Sequence, residues 1–175
     1  MPAIRMTGPL EPRSGWEASG CTIAKSLDLL STKSAFLLLR EAFYGATRFD
    51  DLSARAGVSE PVAAARLKEL VERGLLERHE YREPGQRARP GYGLTRKGAE
   101  LLPVLVALMQ WGDRWATDDG GPVELRHRDC GSRVHVELRC DYDHEVDLDE
   151  LDLAPHHARR PTSRRGGAAN ARRTR

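Results

Sequence analysis

The stretch SEPVAAARLKELVER, residues 59–73, lies between Gly57 and Gly74 and reads as one short amphipathic helix with a narrow buried face. Ser59 stands at the cap position, and Pro61 falls in the first turn, where its missing N–H costs little. At about 100° per residue, Ala63, Leu67, Leu70 and Val71 make one stripe. Pro61, Ala65, Lys68 and Glu72 point the opposite way, with Ala64 and Arg66 at the flanks. A helix this short is marginal alone, so it must be one layer of a small packed domain.

What precedes and follows that helix limits the domain further. Upstream, CTIAKSLDLL carries Ile23, Leu27 and Leu30 on one face, with Thr22 as the expected cap. KSAFLLLREAFYG (33–45) is apolar in almost every direction, as in a helix buried all round. TRFDDLSARAG suggests a capping box between Thr47 and Asp50. Downstream, LLERHEYR and YGLT flank EPGQRARPG and predict a two-stranded hairpin. Thr95 should cap a last helix over 96–116, kinked at Pro103, with Leu101, Leu105, Leu108 and Trp115 on one side. Three helices, a hairpin and a further helix predict an α+β, mainly helical winged helix with a two-stranded wing.

Charge divides the 175 residues into blocks. Residues 1–117 carry a net +3, residues 118–157 a net −8, and residues 158–175 a net +7, against +2 overall. Such blocks mark separate segments. The expected organisation is an arm over 1–20, the winged-helix and dimerisation domain over 21–117, an acidic hairpin segment over 118–157 and a basic tail over 158–175. The tail has no residues to build a core from. No apolar run approaches a membrane span and the N-terminus has no apolar signal core, so a cytoplasmic protein is expected. Three cysteines are too few for a disulfide scaffold.

The pattern Cys21, RF at 48–49, RLKELVERGLLER at 66–78, LTRKG at 94–98 and WG at 111–112 resembles the HxlR-type bacterial transcriptional regulators. The likeness spans about residues 21–115. It implies a homodimeric binder of double-stranded DNA, with the arm and terminal helices forming the dimer. In several members a cysteine at the place of Cys21 senses electrophiles or oxidants; an inert thiol near the dimer seam is the other reading. Two departures stand out: Ser34 falls where a tryptophan is usual, and Glu60, Pro61, Ala64 and Ala65 fall where relatives carry polar or basic residues.

The expected DNA contacts are therefore uneven. Ser59, Pro61, Ala64, Ala65, Arg66 and Lys68 lie on or beside the outer face of the recognition helix, yet few of them can reach a base edge. Arg48 is expected where a helix N-terminus approaches a phosphate. Arg82, Arg87 and Arg89 are expected along the wing, to enter a minor groove or clasp its phosphates. The competing expectation is a winged-helix protein-interaction module that has lost specific DNA binding.

HRDCG (127–131) and CDYDH (140–144) suggest either a β-hairpin with two free thiols or a degenerate zinc ribbon. The ligands would be His127, Cys130, Cys140 and Asp143, with His144 as a substitute. No nucleophile, phosphate loop or carboxylate pair combines into an enzyme site. A helical dimer groove could admit a small apolar effector.

Overall fold

The computed structural model describes residues 4–11, 20–30, 32–81 and 89–154. Contacts divide the chain into two compact units. One is residues 18–137; the other combines residues up to 17 with those from 138 onward.

The larger unit begins with α1 (Thr22–Leu30), α2 (Lys33–Phe43), α3 (Phe49–Ala56) and α4 (Glu60–Glu72). The antiparallel ribbon β2 (Leu76–Tyr81) and β3 (Arg89–Leu94) follows, then α5 (Arg96–Ala99) and α6 (Leu102–Trp115). This is the α+β winged helix that the sequence predicts. Its core gathers Leu38 and Leu39 of α2, Leu52 of α3, Leu67 and Leu70 of α4, and Leu76 of β2. Phe36 packs against that core half-buried, near Ser34, where a large ring is missing.

Local differences from the sequence reading have physical causes. Thr22 is the first residue of α1 and not its cap; the Cys21 carbonyl accepts the Lys25 N–H. Helix α3 starts at Phe49 with Arg48 at the cap position, and no side chain caps it. The Thr47 carbonyl instead accepts the Tyr92 N–H at 2.8 Å, and Arg48 bridges Gly91. Residues 47–48 thus lie along β3, and this pairing replaces the expected box. The single helix expected over 96–116 is two, because Pro103 lies in the first turn of α6 and has no N–H to continue an earlier helix.

The LTRKG stretch fastens the wing root to α5. Thr95 Oγ1 accepts the Gly98 N–H at 3.0 Å, capping α5, and donates to the Gly74 carbonyl at 2.7 Å. Lys97 Nζ donates to the Arg73 carbonyl at 2.7 Å, near the C-terminal end of α4. Gln110 of α6 clasps the following segment, donating to the Val134 carbonyl and accepting the Val136 N–H.

In the second unit, β1 (Arg5–Met6) pairs in parallel with β4 (Asp152–Leu153), and Arg5 forms a two-pronged ion pair with Asp152. Part of the expected N-terminal arm therefore has a strand partner. Within the same unit a turn over Cys140–Asp143 is closed by a bridge between Arg139 and Glu145.

Candidate nucleic-acid interface

Helix α4 presents the face that the sequence assigns to it. Ala63, Leu67 and Leu70 are buried, while Ser59, Glu60, Pro61, Val62, Ala64, Ala65 and Lys68 are exposed. Gly57 ends α3 in the left-handed conformation, with φ 64°, which lets the chain reverse within the tight turn before α4. Ser59 occupies the cap position but its side chain makes no capping bond.

Arg66, Lys68 and Arg89 stand beside acids. Arg66 Nη1 lies 2.5 Å from Glu69 Oε2, and Lys68 Nζ lies 3.7 Å from Glu72 Oε1. At the end of the ribbon away from α5, the Arg48 guanidinium stands 5.1 Å from the centre of the Tyr81 ring. Arg89 Nη1 lies 3.7 Å from Asp50 Oδ2 at the start of α3. Arg82 and Arg87 lie outside the described residues. The partners Glu69 and Glu72 follow from helical spacing and could have been read in the sequence. Asp50 could not, since it meets Arg89 only through the register of the wing.

A second surface is apolar. Val104, Leu108, Trp111 and Trp115 of α6 recur at steps of four, three and four, so they share one side, and all are exposed. Ile23 and Leu27 of α1 are exposed as well. Leu101 and Leu105, expected on this stripe, are instead half-buried.

Cys21 is half-buried at the start of α1 and its thiol is free. His127 Nδ1 lies 3.2 Å from Cys130 Sγ within one exposed turn. Ser132 and His127 hydrogen bonds bring the Cys130 thiol down from 9.0 to about 7. Cys140 and Asp143 lie in the turn of the other unit, where the Asp143 N–H donates to the Cys140 carbonyl. Among the described residues, no three His, Cys, Asp or Glu side chains gather as a metal ion would require.

A small helical domain with a tight turn before an exposed helix and a ribbon after it defines a winged helix-turn-helix protein. The HxlR-like helix-turn-helix family profile matches residues 29–119, and the chain belongs to that family. The HTH-type transcriptional regulator Rv3095 of Mycobacterium tuberculosis is 38% identical over 122 residues, 69% of this chain and 76% of that protein. The regulator sll1512 of Synechocystis is 38% identical over 106 residues, 60% of this chain and 77% of its own. Among solved structures, PA1607, a candidate transcription factor, superposes with a TM-score of 0.69 at 30% identity, covering 78% of this chain and 95% of its own. PA1374 of Pseudomonas aeruginosa superposes with a TM-score of 0.56 at 31% identity, covering 81% and 96%. No helix among the described residues is long and apolar enough to cross a membrane.

Proposed function

We propose that the protein is a sequence-specific, DNA-binding transcriptional regulator that works as a homodimer. The observation that carries this is the exposed outer face of α4, which packing against the core leaves open along the helix. That face enters the major groove, while Arg48 at the cap of α3 and Arg89 of the wing contact phosphates. The apolar line Val104, Leu108, Trp111 and Trp115, with Ile23 and Leu27, supports self-association through α6 and α1. Two copies then present two recognition helices to a two-fold operator.

A smaller feature supports a regulatory input. An open groove of about 540 Å³ runs between the C-terminal half of α6 and residues 120–135. Met109, Leu125 and Val134 line it with Arg133 and His135, a mixture suited to a small amphipathic effector.

The decisive experiment is a mobility-shift titration of the full-length protein on the duplex upstream of its own gene and its neighbour. Retardation that survives excess scrambled duplex supports the reading. Equal binding to every duplex, or none, favours the protein-interaction module, a reading also supported by the acid beside each α4 cation.

A further inference from the structure

We infer that the outer face of α4 recognises thymine 5-methyl groups in the major groove, through Ala64 and Ala65 with Pro61 beside them. This rests on the DNA-binding reading above and states what that face selects. In the major groove, guanine is read by Arg or Lys, adenine by Asn or Gln, cytosine by a carboxylate, and thymine by an apolar contact to its methyl group. Helix α4 contains neither Asn nor Gln. Its one arginine, Arg66, is largely buried at 28% side-chain exposure and is held 2.5 Å from Glu69. Its one lysine, Lys68, stands one turn from Glu72, within 3.7 Å. A base contact by either cation must compete with a carboxylate on the same helix.

The exposed side chains in the N-terminal half of α4 are Glu60, Pro61, Val62, Ala64 and Ala65. Four of the five are apolar. Ala64 and Ala65 cannot turn away from the groove, because Ala63 and Leu67 of the same helix are fully buried in the core. Alanine also imposes no stand-off: its single methyl group lets the helix backbone approach the base edges closely enough for methyl-to-methyl contact. Glu60, at the first position of the helix, opposes non-specific phosphate contact and can accept from cytosine N4. The selected half-site should therefore present thymines on the strand that faces Ala64 and Ala65.

The test uses the DNA as the variable, so no protein variant need fold for its first arm. A random duplex library is enriched on the full-length protein, and thymines of the selected duplex are then replaced one at a time by deoxyuridine. This removes the methyl group and leaves every hydrogen bond in place. At one or more positions binding should weaken about fourfold, equivalent to about 0.8 kcal/mol for one buried methyl-sized group. Ala64→Ser/Ala65→Ser protein should bind the thymine duplex about fourfold more weakly than the parent does, and should bind the thymine and deoxyuridine duplexes alike. If deoxyuridine changes nothing at any position, the inference is overturned. A uracil penalty undiminished in the double variant also overturns it, since the methyl groups are then read elsewhere. Failure to enrich any duplex overturns the DNA-binding reading itself, and this inference with it.

Discussion

Gly98 lies directly beneath the carbonyl of Leu75: a methyl group added at its Cα would stand 2.1 Å from that oxygen. The obstacle is backbone, so it cannot swing aside. Gly98→Ala should therefore separate α5 from the wing root and destabilise the protein by about 3 kcal/mol. Thr95→Ala removes a cap and the bond to Gly74, and should cost about 1 kcal/mol. Urea unfolding midpoints should fall in that order. A Gly98→Ala protein as stable as the parent contradicts the close approach.

Glu41 is buried in α2 and held by Arg40, whose Nη2 lies 2.5 Å away and whose side chain is 35% exposed. Removing the cation strands a buried carboxylate. A fully buried pair loses about 3–5 kcal/mol when one partner goes, but exposure of Arg40 lowers the expected loss for Arg40→Ala to about 2 kcal/mol. Arg40→Ala/Glu41→Gln should recover part of that loss. A chemical denaturation series on the three proteins checks both statements.

Where packing follows directly from periodicity, the fold was legible. Ala63, Leu67 and Leu70 are buried on the stripe that their spacing defines, and Gly57 and Gly74 fall where the helices end. What was not legible depends on partners distant in sequence. The Thr47 carbonyl is bonded to Tyr92, so a motif that reads locally as a capping box becomes the edge of the wing. Pro103 reads as a kink by itself, yet it falls in the first turn of a new helix, because α5, which Thr95 caps at its start, already ends at Ala99. At the candidate interface, helical spacing pairs Arg66 with Glu69, while the Arg89–Asp50 pair requires the strand register.

Trp111 and Leu108 are exposed by 63% and 54%, so the proposed dimer contact through α6 can be tested at these two side chains. Leu108→Glu/Trp111→Glu should give a folded monomer that sediments as half the parent mass and loses cooperative binding to a two-fold duplex. A parent protein that is already monomeric at micromolar concentration removes the basis of the homodimer reading.

Arg89 should contribute to affinity without contributing to base choice. Arg89→Ala is expected to weaken binding to specific and scrambled duplexes alike and to reduce the salt slope by about 1. Because Asp50 stands 3.7 Å from the Arg89 guanidinium, Asp50→Asn should strengthen binding to both. Titrations at several salt concentrations distinguish these outcomes, and a variant that alters discrimination alone contradicts the assignment of Arg89 to the backbone.

Cys130 should behave differently from an ordinary surface thiol. Its pKa falls from 9.0 to about 7 because Ser132 and His127 hydrogen bonds favour the thiolate. The thiolate is the nucleophile, so the rate of alkylation should rise through pH 7 and level off about two units earlier than for an unassisted thiol. At neutral pH a larger share of Cys130 is then thiolate than of an unassisted surface thiol. Ser132→Ala and His127→Ala should each move the midpoint upward, Ser132→Ala further, because Ser132 is the larger cause. Peptide-resolved iodoacetamide labelling between pH 5 and 10, as roughly spaced points across the ordinary thiol range, reads Cys130 separately from Cys21 and Cys140. A midpoint near 9.0 in the parent protein would show that the turn from His127 to Ser132 does not hold the thiolate in solution.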